Sequence, residues 1–250
     1  SADGTTKIIK DGFTKEVSNA SHFADVLAAA SANSNTNVAM LGESFKYAAP
    51  VAGSLGYSVE DTAIALGLMA SSGLKSSMAG SSLRTILTNL AKPTDDISDA
   101  MDYLGISLQN GDGSMKSLMD IVTDLRGAFG QCKMPMDQFQ ESLAKLDEKY
   151  ANGELTEKKY NEALADLTEK AYGAEGALKA KYAATLAGKE GMSGLLSIVS
   201  AAPEDFDKLT NAIYNSDGAA KEMAEIKMDN LQHDVVKLQS CLLYTSDAAD

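Results

Sequence analysis

At 250 residues and 26.2 kDa the chain is long enough for one or two domains with a real hydrophobic core. Its net charge of −13 argues against sequence-independent nucleic-acid binding and against attachment to anionic membranes. Two cysteines, Cys132 and Cys241, are too few for a disulfide framework or a thiolate zinc site, and the pair suits a reducing compartment.

With 6% aromatic residues, no Trp and four prolines, the composition favours helices packed through small side chains. Ser1 to Asn19 is polar and weakly patterned, and we expect one short helix around Lys7 to Glu16. Ser21 is placed to cap the next helix, whose stripe is Phe23, Val26, Leu27 and Ala30. His22 falls in its first turn with no second ligand nearby and reads as a surface or cap residue. Asn33, Ser34, Asn35 and Asn37 form a polar turn.

The chain is organised around Asn37 to Leu90, three helix-period segments joined by short turns. The first carries Val38, Leu41, Phe45 and Ala48, and Pro50 is expected to end it. Ser58 is an N-cap for the second, with Glu60 and Asp61 where carboxylates suit the helix dipole. Thr62 to Ala70 is apolar nearly all round, which predicts a central buried helix, and Gly73 stands where a left-handed C-terminal cap belongs. The third places Leu83, Ile86, Leu87 and Leu90 on one face, and Ala49, Ala52, Gly53, Gly67 and Gly80 allow close helix approach.

Thr94 caps a helix with stripe Ile97, Ala100, Met101 and Leu104, stopped by Gly105. Residues 106–115 alternate around Asn110-Gly111-Asp112-Gly113 and predict a small β-hairpin. Asp112 there lacks the ligand spacing of a calcium loop. Ser117 caps a helix carrying Leu118, Ile121, Val122, Leu125, Ala128 and Phe129, with Gly130 at its end. Asp137 to Tyr172 then reads as two amphipathic helices folded back around Asn152-Gly153. Their stripes are Phe139, Leu143, Leu146, Tyr150 and Tyr160, Leu164, Leu167, Ala171. The carboxylates Glu141, Asp147, Glu148, Glu162, Asp166 and Glu169 lack the histidines a di-metal bundle site needs, so they read as a solvated face.

Ala174 to Leu186 is Ala-rich and helical. Gly188, Gly191 and Gly194 lack the preceding strand and Gly-Lys-Ser/Thr ending of a phosphate loop, so close packing explains them better. Pro203 opens a helix with Phe206, Leu209 and Ile213 inward, and Ser216 is expected to cap the last one. There Ala224, Met228, Leu231, Val235 and Leu238 form a heptad seam, offering self-association, while His233 lies off it.

The expected fold is all-α, a multi-helix bundle with a β-hairpin at 106–115 and a protruding helical hairpin. Residues 1–130 and 176–240 form the two parts of the core, and 131–175 carries the charged hairpin. Ser1 in place of Met reads as a start inside a longer reading frame. The last ten residues, CLLYTSDAAD (241–250), read as a translated sequencing adaptor and are left out of the fold. No run of about 20 apolar residues is present to span a bilayer. No catalytic, cofactor-binding or metal-ligating residue is assigned: the histidines lie on separate polar faces, and Cys132, beside Lys133, has no base to activate it.

The stretch SANSNTNVAMLGESFKYAAPVAGSLGYSVEDTAIALGLMASSGLKSSMAGSSLRTILTNLAKP, from Ser31, resembles the shared core of bacteriophage tail tape measure proteins. KEGMSGLLSIVSAAPEDFDKLTNAI, from Lys189, is similar to the second signature of that core. The resemblance covers roughly Ala20 to Gly130 and Ala183 to Leu238, and 137–172 departs from the family pattern as an insertion. It implies a non-enzymatic component that sets tail length, with tail tube subunits polymerising around a largely helical chain. The implied partners are tail tube subunits, tail assembly chaperones and tail tip proteins, and the implied location is the tail tube interior, reached through the bacterial host cytoplasm. No cofactor is implied. The alternatives are a helical adaptor or regulatory interaction domain, and a catalytic module of a larger chain.

Overall fold

The computed structural model describes residues 5–10, 13–129, 136–172 and 176–228. They are predominantly helical, and they fall into two compact units, one from Ser1–Ala29 and Ser216–Asp250 and the other from Ala30–Asn215.

In the first unit, β1 (Thr5–Lys10) and β2 (Phe13–Ser18) pair antiparallel in register from Thr5↔Ser18 to Lys10↔Phe13. The helix expected around Lys7 to Glu16 is therefore a strand pair. Thr5, Thr6, Ile8, Ile9, Thr14 and Val17 are β-branched, and Asp11-Gly12 between the runs is a two-residue hairpin signal that outweighs the weak helical period. Helix α1 (Asn19–Ala32) follows directly, and its first-turn cap is Ser18, whose Oγ accepts the Ser21 N–H at 3.1 Å, in place of Ser21 itself.

Residues 219–228 are helical. Their N-terminus is held by the buried Asp25 carboxylate, which accepts the N–H groups of Gly218 (3.1 Å) and Ala220 (2.9 Å). A carboxylate satisfies free N–H groups and the positive helix end together, so this remote residue takes the role expected of Ser216. Of the heptad seam, Ala224 and Met228 are exposed, while Leu231, Val235, Leu238, His233 and 241–250 lie outside the described residues.

The second unit is built on α3 (Val59–Ser71), in which every residue from Asp61 to Ala70 is buried, as the all-round apolar pattern requires. Ser58 Oγ accepts the Asp61 N–H at 3.0 Å at its start. At its end Gly73 has φ +93, and Leu74 N–H reaches Met69 O at 3.0 Å, a left-handed cap with the apolar Leu74 tucked under the helix. Helix α2 (Val38–Ser54) runs through Pro50. The ring is on the exposed side, where carbonyls tilt toward water, and buried Ala48 and Ala52 keep the segment seated, so the proline does not end it.

Helix α4 (Ser76–Ala91) lies along α2 and packs on α9 (Gly176–Ser200), a helix broken at Gly188. Helices α5 (Asp95–Leu104) and α6 (Leu118–Phe129) pack on α9, and α10 (Pro203–Tyr214) packs on α3. Thr94 occupies the N-cap of α5 but makes no side-chain cap bond, whereas Ser117 and Asp120 exchange side-chain to backbone bonds at the start of α6.

The predicted hairpin at 106–115 is not a ladder: it is a single bridge, Gln109↔Met115. Asp112 Oδ1 accepts both the Ser114 N–H (2.9 Å) and hydroxyl (2.6 Å), closing a local turn that leaves too few residues to extend the pairing. Helices α7 (Met136–Ala151) and α8 (Glu157–Tyr172) do fold back around Gly153, at φ +74. The hairpin does not protrude freely, because α8 packs on α9 and buries Tyr160, Leu164, Leu167 and Ala171.

Candidate functional site

A recess in the second unit lies where α4, α9 and the α7–α8 hairpin meet. Glycines bring the first two together. A Cβ at Gly194 would stand 2.8 Å from Ser82 Cβ and 2.9 Å from Met69 Cε, and one at Gly191 would stand 3.1 Å from Ile86 Cγ1. Gly188 (φ 64, ψ −178) breaks α9 in a conformation reserved for glycine. The carbonyls around the break are taken by α4: Asn89 Nδ2 donates to Leu186 O (3.0 Å) and Ser82 Oγ to Glu190 O (2.5 Å). Gly191 and Gly194 thus serve close helix packing, and Gly188 serves the break.

The break turns Lys189, Glu190 and Ser193 toward a cleft of about 390 Å³, whose other walls include Ser77, Met78, Ser81 and Arg84 from α4 and Asp147, Tyr150 and Tyr160 from the hairpin. Tyr160 donates its hydroxyl to Asp147 Oδ1 at 2.6 Å, and the Tyr150 and Tyr160 rings lie 4.6 Å apart. Lys189 Nζ pairs with Glu157 Oε2 at 2.6 Å, which raises its pKa. Burial pushes the Asp147 carboxyl above the usual carboxylate range, against the lowering effect of the Tyr160 and Ser193 hydroxyls. Burial, reinforced by the Asp147 charge, pushes the Tyr160 hydroxyl upward as well. The arrangement can bind and position polar groups.

Asp147 is the member that sequence reading missed, since it was placed on a solvated face. The legible signal was its position beside the turn, which puts it opposite Tyr160 in a folded-back pair. The other hairpin acids do behave as surface charges: Glu141–Lys145, Lys158–Glu162 and Asp166–Lys170 are exposed i,i+4 pairs. Asp112 is held by Ser114, and those hydrogen bonds lower its pKa. Among the described residues no group of three or more His, Cys, Asp or Glu is placed to hold a metal ion, and no helix is long and apolar enough to cross a membrane. Cys132 lies outside the described residues.

A second junction fixes the end of α9. Arg126 on α6 donates to Ile198 O and Ala201 O, both at 2.8 Å, and stacks over the Phe206 ring of α10 at 4.6 Å.

Residues 1–146 match the family model described as phage-related minor tail protein. The chain belongs to that family. It is similar to the tape measure protein of Pneumococcus phage Dp-1, at 37% identity over 219 residues, 88% of this chain and 15% of that protein. It is also similar to the probable tape measure protein of Escherichia phage P2, at 25% identity over 233 residues, 93% of this chain and 24% of the relative. The chain therefore spans well under a third of either relative's length. No solved structure matches it. The family membership bears out the resemblance read from the two signatures.

Proposed function

We propose that the chain is a segment of a tape measure protein and acts structurally, in setting phage tail length, rather than as an enzyme or a free-standing helical adaptor. The observation that carries this reading is similarity to two tape measure proteins along 88% and 93% of the chain. On this reading it works in the virion tail, inside the tube, after assembly in the host cytoplasm, with tail tube subunits, assembly chaperones and tail tip proteins as partners. Exposed Ala224 and Met228 support a further contact between copies through the heptad seam. The core at 1–130 and 176–240, with the hairpin at 131–175 as an insertion, is the domain division that goes with it.

A stop codon at Asn37 in a phage carrying this gene tests the role. Tails of uniform parental length in that mutant, by electron microscopy, would exclude it, and loss of length control or of tails is expected. An in-frame deletion joining Pro135 to Gly173 tests the compact arrangement. Laid end to end, 137–172 would span about 54 Å as helix. The pair is folded back with α8 on α9, so tails within a few ångströms of parental length are expected, and tails shorter by about 50 Å would show an extended segment.

A further inference from the structure

We propose that Asp147 makes the seating of the α7–α8 hairpin on the core depend on protonation, so that acidification closes the hairpin and ionisation loosens it. Asp147 is where the hairpin turns a carboxyl inward. It lines both the 390 Å³ cleft and an adjoining cavity of about 200 Å³, the latter walled by Leu74, Leu143 and Ser197 among others. The hairpin is thus well packed along α8 and incompletely packed around this one acid. The partners of Asp147 are hydroxyls, Tyr160 from α8 at 2.6 Å and Ser193 from α9.

Charged groups near it do not neutralise it. On α9, Lys189 is engaged by Glu157 of α8, and Glu190 adds negative charge; on α4, Arg84 is exposed at the cleft wall; on α7 itself, Glu148 follows in sequence and Tyr150 lines the cleft. An ionised Asp147 is therefore desolvated by docking without a bonded cation, and a protonated one is not penalised. The docked state binds a proton more readily than the open state, in which the carboxyl meets water. By linkage, docking is strongest in acid and weakens as pH rises through the docked-state titration. The Glu157–Lys189 pair acts in the opposite sense, since protonating Glu157 releases Lys189.

Hydrogen exchange on the full chain over a pH series from about 4 to 8 tests this, with times scaled for the intrinsic rate and α3 peptides as the internal reference. Relative to α3, α7–α8 peptides should be more protected at the acid end of the series. Asp147→Asn, which keeps an acceptor for Tyr160, should abolish the difference, and Glu157→Gln should retain it. Tyr160→Phe removes a hydrogen bond that favours the ionised carboxylate, so it should move the transition to higher pH. Equal relative protection across the pH series in the parent, or a pH dependence that survives Asp147→Asn, overturns the proposal.

Discussion

Gly80→Ala isolates the close approach of α2 and α4. A Cβ at Gly80 would lie 2.2 Å from Ser44 O and 2.9 Å from Ser44 C. A carbon reaches a carbonyl oxygen comfortably at about 3.3 Å, so α4 must back away by about 1 Å, and backbone, unlike a side-chain tip, cannot rotate aside. A gap of that size forfeits about a quarter to a half of each dispersion contact along the seam where Leu41, Phe45, Ala48, Leu83 and Leu87 are buried. It also stretches the 2.7 Å bond from Ser44 Oγ to Ser76 O. Overpacking of this kind costs about 1–3 kcal/mol, and the improved helix propensity of alanine returns about 1 kcal/mol. With the contact on backbone the cost falls in the upper half of its range, leaving a net loss of about 1–2 kcal/mol. Gly127→Ala in α6 is the control: its Cβ meets nothing within 4 Å, so the propensity gain stands alone and stability should rise by about 0.5–1 kcal/mol. Urea unfolding followed by circular dichroism measures both. A Gly80→Ala midpoint at or above the parent's would refute the close-packing argument.

Leu66→Ala in fully buried α3 should lower stability by about 2–5 kcal/mol in the same assay, because the surrounding helices cannot collapse into the cavity. Arg126→Ala, which leaves the Ile198 and Ala201 carbonyls without their donor, should cost about 2–3 kcal/mol, and Arg126→Lys should recover only part of it, since an ammonium lacks the planar fork. Burial, with help from Asp147 and Asp61 respectively, pushes the hydroxyls of Tyr160 and Tyr214 upward. The stability they contribute is complete below the ordinary tyrosine value of about 10 and fades above it, because the unfolded chain ionises first. Burial raises Tyr57 as well, so absorbance titration at alkaline pH should show Tyr57, Tyr160 and Tyr214 ionising late or only with unfolding, and Tyr160→Phe should remove one of these late ionisations.

The sequence by itself determined what is decided within about one helical turn. Ser58 and Ser117 cap the helices they precede, Gly73 and Gly105 end theirs at φ +93 and +67, and the stripes of α4 and α8 are buried throughout, while those of α6 and α7 are buried except for half-buried Ala128, Leu146 and Tyr150. These are legible because cap, terminator and stripe residues stand three or four positions from the groups they serve. Tertiary structure decided the rest. Pro50 stays inside α2 because its neighbours are buried against other helices, and at 106–115 a local turn outcompetes a ladder that periodicity alone could not disallow. The cap on the helix at 219–228 comes from Asp25, 193 residues before the Gly218 N–H it accepts. Asp147 changed most, from one acid among six on a charged face to a carboxyl that lines two adjoining cavities, because α8 seats the hairpin on α9. Burial is a property of what packs against a residue, and only the folded chain supplies those neighbours.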